Sequence, residues 1–282
     1  MTPNHLRLGG AVVYWTLSEF TLRERLADGL GDAGFGDLAP DPRPATAALK
    51  AALDQSLGGS RILIRPLQSR DGFAVVEERR GQNENLYFQT LSARVQGEGL
   101  LARLVFTPQD ERSLAVQQAF DLHQGLIASH QVSECLVRIV ERLGGTRLRP
   151  SGGFYWLPEG KLGLWHEVSS AVEKAAFGRP HACYVLRVAM DADAVRAVRD
   201  AIVAEVMTEA CRIREEVLSG ALKERALESR RLEAVDLRDK VALYEQLLDT
   251  GLASLRQAID AAEEAAAAAA LLVSAQPVGA EV

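Results

Sequence analysis

The chain has 282 residues, of which 48% are hydrophobic and 25% are charged, and its formal net charge at pH 7 is −6. A chain of this length suits two modest domains, or one domain with an elongated helical arm. An acidic chain is a poor general binder of nucleic acid, so any such binding would depend on a local basic patch.

Cysteine usage and hydropathy indicate the compartment in which the protein works. Cys135, Cys183 and Cys211 are odd in number and far apart, which is typical of a reducing compartment rather than a disulfide framework. Residues 1–10 contain no apolar signal run, and no apolar stretch approaches the ~18 residues of a membrane span. We therefore expect a cytoplasmic protein with no membrane contact.

A buried strand is predicted near the start of the chain. Residues 10–17 (GAVVYWTL) are rich in β-branched and aromatic side chains. The glycines and prolines of residues 31–44 predict a loop. A short helix over residues 45–57 would then end at Gly58 and Gly59.

Residues 61–107 predict an antiparallel meander of three or four strands. Strand-like runs alternate here with turn signals, for example at Asp71–Gly72 and at Gly81. Proline has no N–H group to donate to a ladder, so the strand that contains Pro66 is expected at an edge of the sheet.

Within this meander, residues 84–89 read ENLYFQ, which resembles the recognition sequence of the tobacco etch virus protease. A match of six residues by chance is improbable, but Thr90 follows where that protease site usually has Gly or Ser. The segment also continues a plausible strand. Coincidence and deliberate insertion both stay open, and neither bears on native function.

The next part of the chain, residues 110–190, predicts helices that flank a hairpin. Helices are expected at 110–128 and 133–143, followed by two short extended pieces on either side of Ser151–Gly153 and by a helix at 161–177. A helix, a short strand, a glycine turn and a second strand form the outline of a winged helix. The wing of such a motif commonly contacts a nucleic-acid backbone.

This hairpin carries a local concentration of cations and aromatic rings. Cationic side chains can bind phosphates and aromatic rings can stack on bases, so the candidate nucleic-acid contacts are Arg147, Arg149, Tyr155 and Lys161. In an alternative interpretation, Phe154 and Trp156 share a core face while Tyr155 points outward. The cations would then be solvated, or paired with Glu134, Glu141 and Glu159.

Catalytic and metal-binding motifs are missing from the sequence. It contains no phosphate-binding loop, dinucleotide fingerprint, HExxH, CxxC or GxSxG. His123 and His130 are two helical turns apart, which is too far for a shared metal without a third element. An enzyme would need a cleft that joins distant residues such as His123, His166 and Glu78. We therefore expect no cofactor and no metal, and we assign no catalytic residue.

Residues 191–272 predict a long C-terminal helical hairpin that turns at Ser219–Gly220, and residues 273–282 predict a disordered tail. Two apolar stripes of this length cannot bury against one compact core, so the helices must pack on each other, within a chain or between chains. The candidate association face comprises Val195, Ile202, Val206, Leu237, Val241, Tyr244 and Leu248.

Three segments carry a family resemblance. Residues 147–158 (RLRPSGGFYWLP), 218–227 (LSGALKERAL) and 240–248 (KVALYEQLL) resemble an uncharacterised family of bacterial, archaeal and phage proteins, which has an RPxGGxYxxP-like hairpin. The resemblance implies an α+β body with a C-terminal helical arm and an origin in a mobile element. It supplies no catalytic residue.

We therefore predict an α+β fold, in which an antiparallel sheet with flanking helices extends to about residue 190. A long, coiled-coil-like antiparallel helical hairpin follows it. The function expected first is a non-enzymatic assembly or scaffold protein that associates with itself or with another protein through this hairpin, as an oligomer. The alternative is a nucleic-acid-binding accessory protein of a mobile element that uses residues 147–161.

Overall fold

The computed structural model describes residues 8–81, 84–97, 99–149, 152–249 and 251–274, so the predicted tail lies outside the described residues from position 275 onward. The strands are β1 (Leu8–Thr16), β2 (Phe20–Leu22), β3 (Ile62–Pro66), β4 (Gly72–Arg80), β5 (Asn85–Gln96), β6 (Arg103–Thr107), β7 (Leu126–Ala128), β8 (Thr146–Arg147), β9 (Tyr155–Pro158), β10 (Ala176–Phe177) and β11 (Ala182–Ala189). The α-helices are α1 (Arg23–Asp32), α2 (Ala45–Leu57), α3 (Glu111–Gln124), α4 (Ser129–Arg142), α5 (Leu162–Lys174), α6 (Ala192–Leu218), α7 (Glu224–Leu248) and α8 (Ala253–Ser274). The predicted α+β fold with antiparallel sheets is confirmed.

The chain forms two compact units. The sheet–arm unit takes in the described residues of Met1–Trp15, Ile139–His166 and Cys183–Val282, and the meander unit takes in those of Thr16–Arg138 and Glu167–Ala182. These units divide the chain differently from the predicted boundary near residue 190. The reason is that the three arm helices share a core with side chains from β1 and β9.

The meander unit contains the sheet β3-β4-β5-β6, in which every neighbouring pair is antiparallel. Its strands lie within the region predicted as a meander, and β3, which ends at Pro66, is at an edge as expected. The core combines apolar side chains of this sheet with those of α2 and α3, among them Leu49, Val75, Leu91 and Phe120. A smaller sheet has the order β10-β2-β7.

The sheet–arm unit is built on a second four-stranded sheet, of order β11-β1-β9-β8. Val12 pairs with Trp156 across β1 and β9, and both side chains pack into the core of the arm helices. Side chains alternate between the two faces of a strand, so Tyr14 and Phe154 lie on this same face. The register therefore brings residues from distant parts of the chain to one surface.

The arm contains three helices where a pair was predicted. The turn at Ser219–Gly220 joins α6 to α7 as expected, and Gly220 has a φ of +69° that favours glycine. The second helix was predicted to continue past Leu252, but α7 ends at Leu248, and the next residue, Asp249, has a left-handed backbone. Glu245 then accepts a hydrogen bond from the N–H of Leu252 (2.7 Å) just before α8 begins.

All three arm helices pack on one another. Their shared core includes Ile202 and Ile213 of α6, Tyr244 of α7, and Leu255 and Ile259 of α8, all fully buried. No helix in the described part of the chain is long and apolar enough to cross a membrane.

Candidate nucleic-acid interface

The β8–β9 hairpin lies beside a large cleft within the sheet–arm unit. This cleft, which we name the hairpin cleft, has a volume of about 1340 Å³. Three of the predicted nucleic-acid contacts supply cations to its lining: Arg147 from β8, Arg149 from the turn, and Lys161 from the short 3-10 helix Glu159–Lys161. The fourth, Tyr155, also lines it. The structure thus brings all four residues to one site.

The three cations are not neutralised by their acidic neighbours in sequence. Glu159 forms an ion pair with Arg187 instead, at 2.9 Å. Among the residues that the structure describes, no carboxylate forms an ion pair with Arg147, Arg149 or Lys161. Their charges are therefore available to a ligand.

The exposures of the hairpin's aromatic residues differ from the alternative interpretation. Phe154 is 37% exposed, whereas Tyr155 and Trp156 are only 5% and 1% exposed. The ring of Tyr155 stacks on Trp15, with centroids 5.1 Å apart, and Arg147 lies 5.5 Å from its centroid. Tyr155 therefore reaches the cleft as part of the core, and the more exposed ring is that of Phe154.

Two tyrosines extend this exposed ring into a column across three neighbouring strands. Tyr14 of β1 stacks on Phe154 at 5.1 Å between centroids, and Tyr184 of β11 stacks on Tyr14 at 4.7 Å. The ring planes differ by only 20° and 17°. Tyr184 is 42% exposed. We name Phe154, Tyr14 and Tyr184 the aromatic column.

Tyr14 and Tyr184 were not predicted as site residues. Tyr14 lies in a segment correctly predicted as a strand, but the sequence around either tyrosine carries no signal that specifies which strand lies beside it. The column exists only because β1 lies between β11 and β9 in the sheet.

Arg149 connects the aromatic column to the hairpin cleft. Its Cζ lies 5.1 Å from the centroid of Phe154, a cation–π distance, and its side chain lines the cleft. The turn that follows leaves room for it, because Gly152 adopts a φ of +99° and has no side chain. A Cβ at that position would lie 2.1 Å from Nη2 of Arg149.

A polar network ties the arm helices to the turn that precedes β8. Lys240 of α7 donates to the carbonyl oxygen of Gly145 (2.6 Å) and forms an ion pair with Glu205 of α6. Thr146 donates to the other carboxylate oxygen of Glu205 at 2.5 Å. Partial burial, and then the nearby Glu205 carboxylate, raise the pKa of Glu141 above its usual value.

Acidic residues of the arm also line the cleft. These carboxylates belong to α6 and α7, namely Asp200, Glu205, Glu209, Asp236 and Asp239. The cleft is therefore lined both by cations of the hairpin and by carboxylates of the arm.

The candidate association face is not a surface of the folded chain. Val195 and Leu237 are partly buried against the arm core, and Leu237 also lines the cleft. The other members are buried within that core, namely Ile202, Val206, Val241, Tyr244 and Leu248. The apolar stripes are thus covered by the chain's own three helices.

One histidine that was considered for an active-site cleft, His123, is held in a hydrogen bond. His123 of the meander unit is hydrogen-bonded to Gln55 (2.7 Å), and burial, with a contribution from Arg43, lowers the pKa of its imidazole. No three His, Cys, Asp or Glu side chains in the described part of the chain are grouped closely enough to hold a metal ion.

Comparisons with known proteins place the chain in a family. A search of curated proteins and a search of solved structures each found no match. A family model described as a family of unknown function, DUF6744, matches residues 8–277 and so covers nearly the whole chain. The chain belongs to the family of unknown function DUF6744.

Proposed function

We propose that the sheet–arm unit binds single-stranded nucleic acid, with bases against the aromatic column and phosphates on Arg147, Arg149 and Lys161. The observation that carries the proposal is the column itself. Three rings, from β1, from β11 and from the residue before β9, stack on one another, two of them are more than one-third exposed, and a guanidinium lies over one end.

Stacking of bases on aromatic side chains is the usual source of affinity for unpaired strands. Each stacked base contributes about 1–3 kcal/mol, and every base has a face that can stack. In a duplex those faces are already covered by neighbouring base pairs, so the column favours a single strand. The binding should depend little on sequence.

The charge of the whole chain limits where such binding can occur. With a net charge of −6, most of the surface repels a polyanion. Arg147, Arg149 and Lys161 form no ion pair with a described carboxylate, and Arg149 lies next to the exposed ring of Phe154. Cations and exposed rings in one place are what a single strand requires.

Assembly through the arm has less support. The stripes that suggested it are covered within the chain, so an association surface would have to be built from other residues. Light scattering on the full-length protein provides the check, and a strict monomer at high concentration removes the assembly hypothesis.

Fluorescence anisotropy with labelled single-stranded and double-stranded oligonucleotides tests the proposal. We expect the single strand to bind more tightly than the duplex. A plot of the logarithm of the binding constant against the logarithm of the salt concentration should have a slope of about −2, since each of three phosphate contacts contributes about −0.7. Tyr184→Ala should weaken binding by about 1–3 kcal/mol. The matched control is Tyr87→Ala, since Tyr87 is an exposed strand tyrosine of the meander unit.

A second pair of variants tests the cation. Arg149→Ala should weaken binding and flatten the salt slope by about 0.7. Arg79→Ala is its control, because Arg79 lies over Phe88 at the same distance of 5.1 Å as Arg149 over Phe154. No single-strand binding at low salt, or equal losses in the site and control variants, would refute the proposal.

A further inference from the structure

The hairpin cleft is unsuited to hold the middle of a nucleic-acid strand. Among its described lining residues, six carboxylates outnumber five cations. Arg147, Arg149 and Lys161 come from the hairpin and the 3-10 helix that follows it, whereas five of the carboxylates come from α6 and α7. A strand that ran through the cleft would have to place phosphates close to these carboxylates.

Two of these carboxylates carry uncompensated charge. Glu205 is paired with Lys240, Glu209 with Arg212, and Asp200 with Arg199. Asp236 and Asp239 form no ion pair with any described residue. These two side chains of α7 would repel a continuing phosphate backbone most strongly.

The end of a strand meets no such conflict. A terminal phosphomonoester carries up to two negative charges and several acceptor oxygens, and guanidinium groups bind such groups with paired hydrogen bonds. The phosphomonoester is the last group of the strand, so the backbone leaves the cleft once, whereas the backbone on either side of an internal nucleotide has to leave it twice. The exocyclic amino groups of the terminal base can donate hydrogen bonds to carboxylates.

Size and continuity favour the same occupant. The volume of about 1340 Å³ exceeds the ~300–1,000 Å³ of usual small-ligand pockets, so a terminal nucleotide has room. Arg149 lines the cleft and also lies over Phe154, so a strand held at its end in the cleft continues directly onto the aromatic column.

On this basis, and resting on the function proposed above, we propose that the hairpin cleft holds the phosphorylated end of a single strand. The phosphomonoester binds Arg147, Arg149 and Lys161, the terminal nucleoside faces Asp236 and Asp239, and the following bases stack on the aromatic column. The protein is then a binder of strand ends rather than a coating protein.

The experiment compares a circular and a linear oligodeoxynucleotide of the same sequence and length. The linear strand is prepared with a 5′-phosphate, with a 3′-phosphate, or with hydroxyls at both ends, so that the two sources of a terminal phosphate are distinguished. We expect one phosphorylated form to bind at least about tenfold more tightly than the circle, the equivalent of one charge-assisted hydrogen bond.

Two variants locate the effect. Lys161→Ala should bring the ratio of linear to circular affinity toward one, whereas Tyr184→Ala should weaken both ligands and leave that ratio unchanged. Asp236→Asn combined with Asp239→Asn should raise affinity for the circle, because the repulsion that excludes an internal phosphate is removed.

The outcomes separate the two proposals. If circle and linear strands bind equally, with or without a terminal phosphate, strand-end recognition is wrong while single-strand binding stands. If neither ligand binds at low salt, the function proposed above fails and strand-end recognition fails with it. If Lys161→Ala leaves the ratio of linear to circular affinity unchanged, the cleft is not the site that binds the strand end.

Discussion

Gly152 and Arg149 are in contact across the turn between β8 and β9, where a Cβ on the glycine would lie 2.1 Å from Nη2 of the arginine. Because Gly152 also has a φ of +99°, Gly152→Ala is unfavourable on both counts. We expect it to displace the guanidinium from Phe154 and to cost about 1–3 kcal/mol of stability.

The neighbouring glycine is the control for this prediction. A Cβ on Gly153 would meet no atom within 4 Å, so Gly153→Ala should be close to neutral. The measurement is the affinity for a labelled single strand together with urea denaturation. Equal effects of the two substitutions would contradict the role given to Gly152.

Stability should also respond to pH through Glu141. Burial and Glu205 raise the pKa of this carboxyl above its ordinary value of 4.5, so the folded state binds its proton more tightly than the unfolded state does. The ionised form is therefore disfavoured in the folded protein, and stability falls as pH rises through the folded-state pKa.

Glu141→Gln removes this carboxylate. The variant should be more stable than the parent at pH 7 and should lose that advantage below about pH 4, where Glu141 is protonated in both states. Urea denaturation at the two pH values measures the difference. If Glu141→Gln stabilises the protein equally at the two pH values, an effect other than the loss of the carboxylate charge is responsible.

The arm core gives a prediction that separates packing from association. Val241 is 1% exposed in this core, so Val241→Asp buries an unpaired charge and should cost about 3 kcal/mol or more. Leu232, on the same helix, is 54% exposed, and Leu232→Asp should change stability by less than about 0.5 kcal/mol.

Chemical denaturation measures both costs, and light scattering measures the mass of each variant. If Leu232→Asp converts an oligomer into a monomer, association occurs through the outer surface of α7. If Val241→Asp leaves the free energy of unfolding unchanged, Val241 is not buried in the arm core as described.

The ENLYFQ segment should resist the protease whose site it resembles. Residues 85–89 lie in β5, and Gln89 pairs with Val76 of β4. Cleavage after Gln89 requires an extended strand free to enter a protease, so this ladder must first open. We expect the native protein to stay intact and mild denaturant to permit cleavage, as followed by gel electrophoresis. Rapid cleavage without denaturant would contradict the pairing.

Local patterns predicted much of the fold, because alternation, proline and turn residues act over a few positions. The meander, the edge position of the strand with Pro66, and the turn at Ser219–Gly220 are examples. The third arm helix was missed because apolar spacing continues from Leu248 to Leu255. The segment Asp249–Gly251 nevertheless contains an Asp and a Gly, which are turn residues.

The site was predicted only in part. The cations of the hairpin are a cluster in sequence, so Arg147, Arg149 and Lys161 could be found. The sheet order β11-β1-β9 could not be predicted, because these strands are distant from one another in the chain. Tyr14 and Tyr184 were therefore missed. Phe154 and Trp156 share a strand face as predicted, but both faces of β9 are covered, so Tyr155 is buried too, while Phe154 precedes the strand and is exposed.

Lys240 and Tyr244 are four residues apart on α7, and they donate to the successive carbonyl oxygens of Gly145 and Gly144 at 2.6 and 3.0 Å. The acceptors are main-chain atoms, so substitutions in the turn cannot remove them. An inserted residue between the two donors would rotate one of them by ~100° about the helix axis and break at least one bond. We therefore expect natural variation around this turn to take the form of side-chain replacement, while changes of length in α7 are excluded between these two positions.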